Sequence, residues 1–144
     1  MANTDTINLL KECDAGSKMA VSSIDDVMDN VSDFDLKMLL KESKEHHQKL
    51  GNEIHSLLNE YGAAEKEPSP VAKSMSWIKT NFKMSMDGSD AVIADLMTDG
   101  CNMGVKSLNK YLNQYENADD TAESICKELV KIEEKLCYNM RKYL

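Results

Sequence analysis

Apolar or small side chains return every third or fourth residue in four stretches of this chain, the spacing that keeps one face of an α-helix out of water. The first stretch, residues 4 to 31, carries Leu10, Cys13, Ser17, Ala20, Ile24, Val27 and Val31. The second carries Leu36, Leu40, Ser43, His47, Leu50, Ile54, Leu57 and Tyr61. The third, residues 89 to 116, carries Ala94, Met97, Cys101, Val105, Leu108, Leu112 and Tyr115, and the fourth carries Ala122, Cys126, Leu129, Glu133, Leu136, Met140 and Tyr143. Runs that alternate with period two, as a strand would require, are nearly absent.

The breaks between stretches have the chemistry of helix ends. Ser32 or Asp33 is a good N-cap for the second helix, Gly62 is placed to end it, and Asn117 to Asp120 makes a tight turn into the fourth. Residues 63 to 70, AAEKEPSP, read as a linker. Val71, Met75, Ile78 and Phe82 then predict a short helix across one end of the bundle, with Trp77 part-buried and Gly88 ending it. The two halves match. Cys13-Asp14-Ala15-Gly16-Ser17-Lys18 aligns with Cys101-Asn102-Met103-Gly104-Val105-Lys106, and Lys41-Glu42 with Lys49-Leu50 aligns with Lys127-Glu128 and Lys135-Leu136. The offsets are 88 residues (13 to 101) and 86 (41 to 127). The expected architecture is therefore all-α: one domain over residues 1–144, a four-helix bundle made by duplicating a helix hairpin. A connection long enough to run the length of the bundle, as in ferritin-like folds, would join the hairpins.

Composition narrows the partners. The formal net charge is −8 and the lysines are interleaved with acids, so no basic footprint for nucleic acid or an anionic membrane exists. No apolar run approaches the roughly 20 residues of a membrane span, and residues 1 to 10 lack a signal-peptide pattern. A cytoplasmic location follows as the expectation, and with it four free thiols (Cys13, Cys101, Cys126, Cys137) and no C-x-x-C motif. Ten methionines against two phenylalanines suit a helical core, and they are too dispersed for a copper site.

Glu12 through Ala20, Leu39 through Leu50, Ser76-Trp77-Ile78-Lys79 and Met103 through Leu108 give the chain its family likeness. It resembles the ferritin-like superfamily, and within it a bacterial ferritin-like family of unknown function related to stress-response proteins. The resemblance implies a site of two irons held by a Glu on each of two helices and a Glu-x-x-His on each of the other two. By that geometry Glu12, Asp14, Glu42, Asp95, Asp99 and Glu128 are candidate ligands, each read more simply as a solvated charge. The chain departs from the pattern. Ser43-Lys44-Glu45-His46 has Ser where Glu should stand, the fourth helix has no His, and the core-facing positions of the third read Thr98 and Cys101.

Two polar residues interrupt the apolar seams at matching places, His47 on the second helix and Glu133 on the fourth. The functional reading joins them with Cys13 and Cys101 in a remodelled metal site, where Cys, His and carboxylate donors favour zinc over an iron pair. The plainer reading is a hydrogen bond that satisfies two buried polar groups, with the cysteines as small apolar fillers. His46 points away from His47, and His55 faces solvent. Nothing in the chain marks an enzyme: there is no phosphate-binding glycine loop, and Gly100 and Gly104 lie inside a helix. The reading adopted is a binding or interaction protein, self-associating as a dimer, without a working di-iron centre or any required cofactor. The alternative is a zinc- or iron-binding stress-related protein.

Overall fold

Four side chains start the four helices. Asn3, Asp33, Ser89 and Asp119 each sit in extended backbone and accept a hydrogen bond from the amide three residues on: Thr6, Leu36, Val92 and Ala122. Such a cap contributes about 1 kcal/mol, because the first amides of a helix have no partner within it. The computed structural model describes residues 2–63 and 88–144. Within them the helices are α1 (Thr4–Met28), α2 (Phe34–Glu60), α3 (Asp90–Gln114) and α4 (Asp120–Met140), followed by a 3-10 turn over Arg141–Tyr143. No strand occurs among the described residues. Helix α2 stops where Gly62 takes φ +67°. There the amides of Gly62 and Ala63 turn back onto the carbonyls of Asn59 and Leu58 at 3.1 and 2.8 Å. That paired closure needs a left-handed residue, which glycine supplies without strain. The expected short helix around Trp77 falls on residues 64–87, outside the described residues.

Helix directions follow from two hydrogen-bonded clasps at opposite ends. The Asp5 carboxylate, in the first turn of α1, accepts from the Asn117 amide in the α3–α4 turn at 3.0 Å. Asp90, in the first turn of α3, accepts from Ser32 and Asp33 in the α1–α2 turn, both at 2.9 Å. So α1 runs against both α2 and α3, α4 runs with α1, and α2 ends at the opposite end of the bundle from where α3 begins. The clasps are reciprocal and separated by the same interval, 85 residues in each case (5 to 90, 32 to 117). Asn3 adds a bond from Nδ2 to the Asn117 carbonyl at 2.8 Å, and buried Thr6 accepts from the Asp119 amide at 2.8 Å. Replacing Asp90 with Ala removes two charge-assisted acceptors. Because the site is exposed, the expected loss is at the low end for such bonds, about 1–2 kcal/mol, read as a lower urea midpoint. Asp90→Asn, which keeps one acceptor oxygen, should lose less.

The core is two apolar blocks with a polar layer between them. One block gathers Ile24, Val27, Leu36, Leu40, Ile93, Met97 and Met140. The other gathers Leu9, Leu10, Leu50, Ile54, Leu58, Ile125 and Leu129. Between them lie the buried polar side chains Ser17, Ser43, His47 and Glu133. No helix among the described residues is long and apolar enough to cross a membrane.

Candidate functional site: a buried histidine–glutamate pair

His47 falls on the apolar stripe of α2, so the helix carries its imidazole to the bundle centre, where none of the residue is exposed. Its Nδ1 lies 2.8 Å from the Ser43 carbonyl oxygen one turn back. A carbonyl only accepts, so Nδ1 carries a hydrogen and donates it. Its Nε2 lies 2.9 Å from Oε1 of Glu133 on α4. Glu133 is 8% exposed. One further proton lies between Nε2 and Oε1, and the pair is net neutral whether that proton resides on the ring or on the carboxyl. A shared proton of this kind is how two groups that would each be costly alone are kept in an apolar interior.

Helix α3 supplies the remaining walls. The buried Cys101 thiol stands near the Glu133 carboxylate; burial first, and then that carboxylate, push the thiol up from its ordinary value of 9.0. Gly104 backs the carboxylate, and a methyl group there would stand 3.5 Å from Glu133 Cδ. A hydrogen-bonded chain thus runs from the Ser43 carbonyl through His47 to Glu133, joining α2 and α4, with Cys101 of α3 near its end.

Cys13 is not part of it. Its thiol is hydrogen-bonded to Cys126 on α4 inside the second apolar block, and Cys126 donates onward to the Leu108 carbonyl at 3.7 Å. The contact with Cys126, together with burial, pushes the Cys13 thiol up. All four cysteines are free thiols. The sequence pairing of Cys13 with Cys101, 88 residues apart, is three residues out of step with the 85-residue interval of the clasps. Ser17 approaches Gly51 to within 3.1 Å of where its Cβ would be.

Of the acids singled out by family geometry, Glu42, Asp95, Asp99 and Glu128 are exposed and Glu12 is half-buried. Asp14, expected to be a solvated charge, is instead 2% exposed, because it lies where α1 closes on α2. Its position on the chain gave no sign of this: it stands beside Cys13, just off the stripe. Exposed His46 lies 4.0 Å from Glu42, and exposed His55 is bonded to Asn59 at 3.1 Å. Among the described residues, no three His, Cys, Asp or Glu side chains are gathered so as to hold a metal ion. A di-iron centre of the ferritin kind does not fit this layer. The positions around the pair hold Ser17, Ser43, Cys101 and Gly104, and two ligands on one tetrahedral metal at about 2.0–2.1 Å each would stand roughly 3.3 Å apart, wider than the observed 2.9 Å.

Solved structures with the same arrangement of helices decide the fold. Dps92 from Deinococcus radiodurans superposes with a TM-score of 0.75 at 18% identity, covering 97% of this chain and 86% of that one. A DUF305 fragment from the same organism gives 0.76 at 13% identity, covering 98% and 95%. A conserved hypothetical protein from Mycobacterium tuberculosis gives 0.74 at 12% identity, covering 99% and 100%. The chain has a ferritin-like type of helical fold. No family profile and no curated protein matches it.

Proposed function

We propose that this protein is a non-catalytic binding or interaction protein, a cytoplasmic member of the bacterial ferritin-like group whose core has exchanged a metal centre for a proton-sharing pair. The observation that carries the reading is the His47–Glu133 contact at 2.9 Å. The imidazole and the carboxylate, the two strongest donors in the layer, are turned on each other, on a backbone carbonyl and on a thiol. A metal would have to displace the shared proton and separate the two groups. Self-association as a dimer belongs to the same reading: Phe34 and Tyr138 are 73% and 65% exposed, and a contact between copies would cover such side chains.

The alternative, a zinc- or iron-binding stress-related protein, has the Cys101 thiol in its favour, since it adds a soft donor beside Glu133. Elemental analysis of protein purified without chelators separates the two. The binding-protein reading expects essentially no iron or zinc. Stoichiometric metal that is lost in a His47→Leu, Glu133→Leu double variant would overturn it.

A further inference from the structure

Cys13 on α1 and Cys126 on α4 meet inside the second apolar block, and neither is exposed. The helices that carry them fix the meeting. In the first turn of α1 the Thr6 hydroxyl accepts from the Asp119 amide at the cap of α4, at 2.8 Å. Helices α1 and α4 run in the same direction, so residues separated by this same interval of 113 stay level along the bundle (6 to 119, 13 to 126). Seven residues past the clasp, about 10 Å at the helical rise, the interval sets Cys13 beside Cys126. The two thiols are hydrogen-bonded, and Cys126 donates onward to the Leu108 carbonyl at 3.7 Å.

Two features separate this pair from cysteines that only fill space. The first is polarity. The hydrogen bond between the thiols holds Cys126 below its ordinary 9.0 and pushes Cys13 up, so one sulfur is the readier nucleophile and the other keeps its proton. The second is thin cover. An open groove of about 580 Å³ between α3 and α4 reaches through to Leu9 of α1, one turn before Cys13. The same groove is lined by Glu123 and Lys127, on either side of Cys126 along α4, and by Asn109, next to Leu108. On each of the three helices the groove thus comes within about one turn of the pair or of the carbonyl that Cys126 bonds.

We propose that Cys13 and Cys126 are a latent disulfide, which a small peroxide closes into a covalent staple between α1 and α4. The Cys126 thiolate attacks one oxygen of hydrogen peroxide and the O–O bond breaks. The hydroxide that leaves takes up the proton lost from Cys126 and becomes water. The Cys13 sulfur then attacks the sulfenic acid on Cys126, the S–S bond forms and the S–O bond breaks. The departing hydroxide takes the Cys13 proton and becomes a second water. The two sulfurs together lose two electrons, and the peroxide gains them. The new bond ties hairpin one to hairpin two beside the Asp5–Asn117 clasp. It closes a long loop, from residue 13 to residue 126, so the constraint it puts on the unfolded chain is large. The device is separate from the proposed function above and stands whether or not the core binds metal.

The test is oxidation of the intact, folded chain by a modest excess of hydrogen peroxide, followed by quenching, unfolding and thiol titration. The count should fall from four thiols to two, with the mass lower by two hydrogens. Tryptic digestion without reductant should join the peptide Glu12–Lys18 to the peptide Tyr111–Lys127. Cys13→Ala and Cys126→Ala should each abolish that link, so one carries the test if the other disturbs folding. Cys101→Ala and Cys137→Ala should each keep it. The bridged chain should unfold at a higher urea concentration than the reduced one, and dithiothreitol should restore the lower midpoint. Four thiols surviving in the folded chain, a link between Cys101 and Cys137 or between two chains in its place, sulfinic acid with no link, or a bridged chain no more stable than the reduced one would each overturn the proposal.

Discussion

Glu133→Leu and His47→Leu should each lower stability by roughly 2–4 kcal/mol, while the double variant should lie within about 1 kcal/mol of the unaltered chain. The asymmetry arises because either single change strands its partner. With Glu133 gone, His47 Nε2 faces leucine in a place with no access to water. With His47 gone, the nearly buried carboxylate loses the hydrogen bond at 2.9 Å that satisfied it. Removing both leaves an apolar layer joining two apolar blocks. Urea unfolding of the four proteins gives the coupling directly as a double-mutant cycle. Additive losses would mean that the two groups do not act as a pair. A double variant less stable than either single would mean that the polar layer supports the fold in some way beyond mutual satisfaction.

The second large effect should appear in alkali. Burial and the Glu133 carboxylate push the Cys101 thiol up from 9.0 in the folded chain. A group with a raised folded value holds its proton more tightly folded than unfolded. Its contribution is fully present below about pH 9 and is lost as the pH climbs above that, when only the unfolded thiol ionises. The expected slope is about 1.4 kcal/mol per pH unit, so roughly 3 kcal/mol between about pH 9 and pH 11. That is a large share of the stability of many domains. Urea midpoints measured across that interval should fall steeply. A Cys101→Ala variant should fall less steeply, whatever tyrosines and lysines add to both. Equal slopes would mean that the Cys101 thiol ionises in place without opposing the fold.

The sequence carried the helices, their caps and the central pair, and the reasons are physical. A cap requires a particular side chain at a particular place, so the choice narrowed to Ser32 or Asp33 for α2, to the turn Asn117–Asp120 for α4 and to Gly62 for the end of α2; the caps are Asp33 and Asp119. His47 and Glu133 were visible because each interrupts an apolar stripe at a corresponding place. What failed were inferences about neighbours. The Cys13–Cys101 match looked convincing because both hexapeptides begin with cysteine and hold glycine at the fourth place, yet its offset of 88 is three residues from the 85 of the clasps. Helices tolerate such a slip in sequence, since positions three or four apart share a face. The stripe itself was read too narrowly. Leu9, Ile93, Leu96, Ile125 and Val130 are buried although they flank it, because a bundle helix buries a wider arc than a single seam. On α2 the reading stepped from Ile54 to Leu57, whereas Leu58 is fully buried and Leu57 only half so. Asp14 is buried for a related reason: it stands beside Cys13 within that wider arc.

The crossed clasps have a consequence for what the hairpin is. The first acid of each hairpin holds the turn of the other, Asp5 on Asn117 and Asp90 on Ser32 and Asp33. Each hairpin presents one donor turn and one acceptor carboxylate, and in neither do the two meet each other. That is the bonding pattern of an isologous two-fold interface, in which each partner gives what it receives. Helix directions, buried layer and clasps all obey that symmetry, so the single chain is built like a homodimer whose subunits have been joined. Once joined, the halves were released from identity. One could keep histidine where the other has glutamate. An asymmetric site on a two-fold axis, which identical subunits cannot form without breaking their symmetry, is what the fusion makes available.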